Sequence, residues 1–302
     1  LILNRYLLAQ FGVDDLRELS VNMKKPSLEE IDGESVTGFY KQLITQFRGK
    51  CAISEETLAR YDLNIVSHMR KINDKRTEPM VLKYFQYLSL LFIEYYLDEY
   101  FNNRQALLDC LNSYVADFNE QYPNDTYEPY TANDLNKIAV WNATGSGKTL
   151  IMHINYHQYM HYSGGKLPDD ATYILLTPKE GLSIQHIEDY ATSGISAKIY
   201  DKFASRWTQN LGDKDQDTIV SVKRFGNRNV VFVDEGHRGS SSGKDGKWQK
   251  YRDELCSNGF SFEYSATFGQ AIAASSDKSL AERYAKCIIF DYSYKFFYGD
   301  GY

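Results

Sequence analysis

The chain has 302 residues, 43% hydrophobic and 25% charged, the balance of an ordinary soluble globular protein with room for one large domain or two. Its net charge of −6 excludes a broadly basic protein that coats nucleic acid, though not a local basic groove. Cys51, Cys110, Cys256 and Cys287 are scattered with no Cys-x-x-Cys pair, which argues against a disulfide framework or a zinc ribbon and fits a reducing, cytoplasmic setting.

In chain order, residues 1–78 are expected to be a helical region. Nothing at the N-terminus resembles a signal peptide. Apolar residues recur at helical spacing in Ile2–Phe11 and Thr37–Phe47, and Pro26 and Gly33 punctuate the chain between them. Ser54 is a candidate N-cap for a helix through Leu58, Tyr61, Ile65 and Met69. Two longer helices, Met80–Tyr100 and Arg104–Phe118, precede a loop over Gln121–Asn133. The most apolar stretch, Val81–Phe101, is interrupted by Lys83, Glu94, Asp98 and Glu99, so it reads as a buried helix and not as a membrane span.

From Lys137 short apolar runs alternate with helical stretches. The runs are Ile138–Trp141, Thr172–Leu176, Ala197–Tyr200, Thr218–Val222, Val230–Val233, Phe260–Tyr264 and Cys287–Phe290. Such alternation predicts βαβ units and a mostly parallel sheet, an α/β fold. Several runs lack polar alternation, as strands covered on both faces do. The chemistry is then expected at the C-terminal ends of the strands.

The first strand runs into Trp141-Asn142-Ala143-Thr144-Gly145-Ser146-Gly147-Lys148-Thr149-Leu150. A buried strand, a glycine-rich turn and a helix opening on Lys-Thr make a phosphate-binding loop. Gly145 and Gly147 permit backbone conformations that a side chain forbids, and successive N–H groups can then face phosphate oxygens. Lys148 is expected to reach the β- and γ-phosphates of ATP, and the Thr149 hydroxyl to hold Mg²⁺. The strict pattern asks for glycine where Asn142 stands. On the following helix His153, His157 and His161 lie along one face at a spacing that could bind a metal. Ile154 stands where a zinc-protease pattern has Glu, and no carboxylate or Cys ligand is evident, so a metal role is disfavoured.

The strand Val230–Val233 leads into Asp234-Glu235-Gly236-His237. An acidic residue at the tip of a strand next to the phosphate-loop strand is placed to hold Mg²⁺, which assigns Asp234 to the metal and Glu235 to the attacking water. The strand Phe260–Tyr264 leads into Ser265-Ala266-Thr267. The run Arg238–Lys247 is locally basic and reads as a surface loop that could meet a phosphate.

These three segments, in this order and each after a strand, resemble motifs I, II and III of superfamily 2 DExH-box helicases. Within that group the chain is similar to the restriction-type branch, which includes motor subunits of type I and type III restriction enzymes and related bacterial defence helicases. The resemblance covers roughly residues 79–302, a RecA-like P-loop NTPase domain with a helical lead-in over 79–130. It implies that Ala143–Thr149 bind ATP and that Lys148, Asp234 and Glu235 are catalytic. Thr149 and Asp234 would hold Mg²⁺. His237, Ser265 and Thr267 would couple hydrolysis to movement. Thr177 and Pro178, in Leu175-Leu176-Thr177-Pro178, resemble motif Ia and would contact the nucleic-acid backbone. Gln86, in Tyr84-Phe85-Gln86, is placed as the glutamine that reads adenine. Its long separation from the loop leaves an ordinary helix-surface glutamine as the alternative.

The resemblance further implies an ATP-dependent translocase or helicase, with DNA favoured over RNA and nuclease or methyltransferase subunits as possible partners. Rival expectations are an RNA-acting DExH enzyme and a non-enzymatic, ATP-gated scaffold. Superfamily 2 motors work across a cleft between two RecA-like domains, and the second supplies arginines that, in related systems, contribute about 10³–10⁵ in rate. The chain is therefore expected to be an N-terminal portion of a larger protein. By itself it is expected to bind ATP weakly and hydrolyse it poorly.

Overall fold

The computed structural model describes all residues except 170, 178–179, 196–210, 213–219, 222–224, 236–250, 275–277 and 302. The expected strand Ala197–Tyr200, most of Thr218–Val222, the basic run 238–247, Pro178 and His237 lie outside the described residues.

N-terminal helices form where the spacing predicts them, in Ile2–Phe11 and Thr37–Phe47, with a short helix between that the spacing did not mark. Helix α1 is Ile2–Gln10, α2 is Leu16–Ser20 and α3 is Gly38–Gln46. The Thr37 side chain caps α3 by accepting from the Tyr40 N–H at 3.0 Å. Helix α4, Glu55–Asn73, begins at Ser54, whose hydroxyl accepts from the Thr57 N–H at 3.1 Å. Glu55 and Glu56 in its first turn and Arg70 and Lys71 in its last complement the helix dipole.

Helix α5, Tyr84–Asn102, is buried along most of its length, and α6 is Arg104–Gln121. The acidic residues that interrupt the apolar run of α5 are matched by neighbouring helices. Asp98 accepts from Arg60 at 2.6 Å and from the Tyr61 hydroxyl at 2.7 Å, both on α4. Glu94, fully buried, accepts from Asn64 of α4, and from Gln158 and Tyr162 of the helix Lys148–Tyr162, which is α7. Buried carboxylates without such donors would be strongly destabilising. No described helix is long and apolar enough to cross a membrane.

The sheet is formed by β1 (Lys137–Asn142), β2 (Tyr173–Leu176), β5 (Val230–Asp234), β6 (Phe260–Ser265) and β7 (Ile288–Tyr292). All its pairings are parallel and the strand order is β2-β5-β6-β1-β7. Two short strands, β3 (Leu211–Gly212) and β4 (Val220–Ser221), pair separately. This is the α/β architecture of a RecA-like domain preceded by a helical region.

The continuous apolar runs arise because alternate residues of each strand enter different cores. Ile138 and Val140 of β1 join the large core with α5 and α7. Ala139 and Trp141 face a second cluster with Phe268, Leu280 and Tyr284. These belong to α9 (Phe268–Ala274) and α10 (Lys278–Cys287); α8 is Glu180–Thr192 and α11 is Tyr294–Gly299. In the same way Tyr173, Leu175, Val230 and Phe232 point into the large core, while Ile174, Leu176, Val231 and Val233 meet Tyr251 and Leu255. A sheet covered on both faces has no use for polar alternation. Helix α1 shares the large core and its Asn4 donates to the Ile289 carbonyl of β7 at 3.1 Å.

One expectation about the sheet is corrected. The strand ending in Asp234 is not next to the phosphate-loop strand, because β6 lies between β5 and β1. Strand order is set by tertiary pairing, which the local apolar pattern does not encode. The insertion aligns the motifs across the sheet: Trp141 lies opposite Ser265, and Asp234 opposite Tyr264.

Candidate nucleotide-binding site

Because the sheet is parallel, the C-terminal ends of its strands share one edge. Asn142, Leu176, Asp234 and Ser265 end β1, β2, β5 and β6 there, and each leads into a segment singled out in the sequence.

The loop after β1 has the backbone of an anion cradle. Gly145 has φ +83° and Gly147 φ +80°, the left-handed region that glycine enters without steric cost. Gly147 then caps α7, which opens on Lys148 and Thr149. Asn142 is still in β1, opposite Tyr292, and its φ is not positive. That is why asparagine is tolerated where the strict pattern has glycine. The Ala143 N–H donates to the Tyr292 carbonyl at 2.9 Å, and the Tyr294 hydroxyl to Thr144 Oγ1 at 2.8 Å, so the loop is held from the β7–α11 side.

Gln86 lies at this loop despite its distance in sequence. Its Oε1 accepts from the Lys83 N–H at 2.8 Å, capping α5, and its Nε2 donates to the Ser146 carbonyl at 2.9 Å. It is buried, which removes the helix-surface alternative. Replacing it with Leu orphans a buried carbonyl and an amide, at a cost of about 1–3 kcal/mol. Gln86→Leu is therefore expected to lower the chemical-denaturation midpoint and weaken ADP binding; unchanged values for both would contradict this placement.

Several polar atoms at this edge are buried without partners among the described residues: Ser146 Oγ, both amide atoms of Asn142, and Thr267 Oγ1. Buried polar groups are nearly always hydrogen-bonded, so a cluster of orphans marks the place of a polar ligand. Lys148, half-buried, makes no hydrogen bond or ion pair among the described residues. A phosphate chain fits this donor set, with the dipole of α7 behind it.

Asp234 is nearly buried. Its Oδ1 accepts from the Glu235 N–H at 3.0 Å and its Oδ2 contacts His186 Nε2 at 2.9 Å. Each oxygen keeps a lone pair, so the carboxylate remains able to serve a divalent metal or its water. Glu235 has φ +57°, a left-handed conformation uncommon outside glycine and frequent at functional sites. Ser265, fully buried, accepts at Oγ from the Thr267 N–H at 3.0 Å. The Trp141 indole donates to the Ala266 carbonyl at 3.1 Å and so ties the Ser265–Thr267 segment to the phosphate-loop strand. The geometry thus brings Gln86, Ala143–Thr149, Asp234, Glu235, Ser265 and Thr267 to one edge of the domain. Thr177 is buried directly after β2.

A comparison with protein families finds a match to the type III restriction enzyme, res subunit family, over residues 97–270. The match covers more than half of the chain and contains the phosphate loop, Asp234–Glu235 and Ser265–Thr267. The chain belongs to that family. This res-subunit domain is accordingly an ATP-dependent, helicase-like hydrolase of the restriction type, which uses ATP with a divalent metal and binds nucleic acid. Gln86 and the β7–α11 segment that holds Thr144 lie outside the matched residues. Comparison with curated proteins and with solved structures finds no match.

Two features of the chain lie apart from this edge. A cavity of about 720 Å³ between α4 and the segments around Glu29 and Val81 is lined by none of the motif residues. The histidines of α7 are dispersed: His153 Nδ1 pairs with Ser193 Oγ at 2.7 Å, while His157 and His161 face the ring of His68 at 6.0 and 5.9 Å. No described group of three His, Cys, Asp or Glu residues could hold a metal ion.

These buried histidines make a pH prediction. Burial lowers His68 and His153 from 6.5 to about 3, and His157 to about 4. Between those values and 6.5 the unfolded chain binds protons that the folded chain does not, so stability rises with pH there. Glu94 acts oppositely: burial raises it from 4.5 to about 7, so stability falls with rising pH across that interval. Burial also lowers His161 and raises Asp62, Glu99 and Asp291, but among the large shifts three histidines outweigh one carboxyl. Tm is expected to fall as pH is lowered from 6.5 towards 4.5, less steeply in His157→Gln. A Tm that is constant or rises on acidification would contradict this.

Proposed function

We propose that this domain is the ATP-binding part of an ATP-dependent DNA translocase or helicase of a bacterial restriction or defence system. The observation that carries this is the convergence at one sheet edge of two left-handed glycines, an Asp-Glu pair, and buried polar atoms and a lysine that have no partner among the described residues. In this proposal Ala143–Thr149 cradle the phosphates, with Lys148 on the β- and γ-phosphates. Thr149 and Asp234 hold Mg²⁺, which when bound neutralises charge on the transferring phosphoryl group. Glu235 orients and deprotonates the attacking water. Gln86 both pins the loop and remains the candidate adenine reader, since its amide has a second N–H and a second lone pair.

Ser265 and Thr267 would carry the coupling step, together with His237. Thr177 and Pro178 would contact the nucleic-acid backbone. A second RecA-like domain would face this edge, and nuclease or methyltransferase subunits would act on the same DNA. DNA is favoured over RNA because the family is of the restriction type.

Competition between matched DNA and RNA oligonucleotides, with the salt dependence recorded, tests the substrate. Preferential displacement by DNA is expected. Displacement by RNA alone would move the function to an RNA-acting enzyme. ATP binding with no turnover in wild type and Glu235→Gln alike, nucleic acid present, would favour an ATP-gated scaffold.

A further inference from the structure

The strand that ends in Asp234 is met from one side by a histidine that no motif includes. His186 lies on α8, the helix that follows Thr177, and only 3% of it is exposed. Its Nε2 is 2.9 Å from Asp234 Oδ2, and its Nδ1 has no partner among the described residues. A carboxylate accepts, so Nε2 carries the hydrogen and donates it.

Two donors thus fix one carboxylate. The Glu235 N–H holds Oδ1 at 3.0 Å and His186 holds Oδ2, which sets the rotation of the group about its Cβ–Cγ bond. The histidine is itself anchored. One turn further along α8, Tyr190 is fully buried against the ring of His153 on α7, with centroids 4.1 Å apart. His153 bonds Ser193, which also accepts from Arg76 at 2.8 Å. Helix α8 is therefore clamped to α7 at one end and to the tip of β5 through His186.

We propose that His186 is a positioning residue for the metal carboxylate: its Nε2–H holds Asp234 in the orientation that receives the divalent ion beside the phosphate loop. This rests on the nucleotide site proposed above. Partners that orient a metal-binding carboxylate typically govern metal affinity by about 10–100-fold.

Two amide substitutions separate this role from simple packing. In His186→Gln the side-chain nitrogen falls where Nε2 stands and still donates to Asp234. In His186→Asn it falls where Nδ1 stands and does not reach. Binding of Mn²⁺ to the full chain is measured by its electron paramagnetic resonance signal at saturating ADP, and binding of ADP is measured separately in EDTA. His186→Asn is expected to weaken Mn²⁺ binding by about 10–100-fold, and His186→Gln by less than about threefold. Affinity for ADP in EDTA is expected to be the same in all three proteins. Equal Mn²⁺ affinity in all three, or equal losses in both variants, would overturn this inference alone. A wild-type chain showing no ADP-dependent Mn²⁺ binding would overturn the nucleotide site as well.

Discussion

Replacing Glu235 with glutamine is expected to reduce ATP turnover by about 10²–10⁴-fold while leaving nucleotide affinity within about threefold, the range associated with losing a positioned general base. The asymmetry follows from the geometry. Glu235 contributes its backbone N–H, not its side chain, to holding Asp234, so the substitution keeps that 3.0 Å bond. Its backbone is left-handed, φ +57°, and Gln has the same shape as Glu, so the substitution adds no backbone strain. What is lost is the capacity to take a proton from water. Steady-state hydrolysis with nucleic acid present, beside equilibrium ADP binding, checks both halves. Turnover within tenfold of wild type would remove Glu235 from catalysis, and lost ADP binding would make it a binding residue.

The second large effect is at Gly147. Gly147→Ala meets two obstacles at once. The position has φ +80°, which costs a residue with a Cβ about 1–2 kcal/mol. The added Cβ would also stand 2.3 Å from Gln86 Nε2. A free glutamine could swing away, but this one is buried and bonded at both ends, to the Lys83 N–H and to the Ser146 carbonyl. Relieving the clash breaks one or both bonds, about 1–3 kcal/mol more. The expected result is a stability loss of about 2–5 kcal/mol and ADP affinity reduced by more than about tenfold. Combining it with Gln86→Ala is expected to recover part of the stability, because the steric partner is gone. A double mutant that loses the full sum of the two single effects would show that the two residues do not meet.

The local geometry of the candidate site was legible because it follows local rules. Two glycines before Lys-Thr at the end of an apolar run specify a left-handed loop and a helix start, and Gly145, Gly147 and α7 have that form. Asp-Glu and Ser-Ala-Thr follow buried strands for the same reason: in a parallel sheet the functional ends are the C-terminal ones. Ser54 announced its helix as a cap, whereas the capping role of Thr37 emerged only in the structure.

What was not legible depends on tertiary pairing. The position of β6 between the phosphate-loop strand and β5 leaves no mark on any single strand. The bond from Trp141 to Ala266 needs that order to exist at all. Gln86 could be nominated only by resemblance, since nothing local distinguishes a glutamine that faces solvent from one that bonds a loop carbonyl. His186 carried a faint signal, a histidine on the helix after Thr177, but its meeting with Asp234 depends on β2 pairing with β5.

The central claim is that one sheet edge, built around Gly145–Thr149, binds a nucleotide through its phosphates. Calorimetric titration of Mg·ADP into the wild-type chain and into Lys148→Ala tests it most directly. One site per chain is predicted for wild type, with binding weakened at least about tenfold in the variant, the loss of a charge-assisted phosphate contact. No binding to a folded wild-type chain, or equal binding to both proteins, would contradict it.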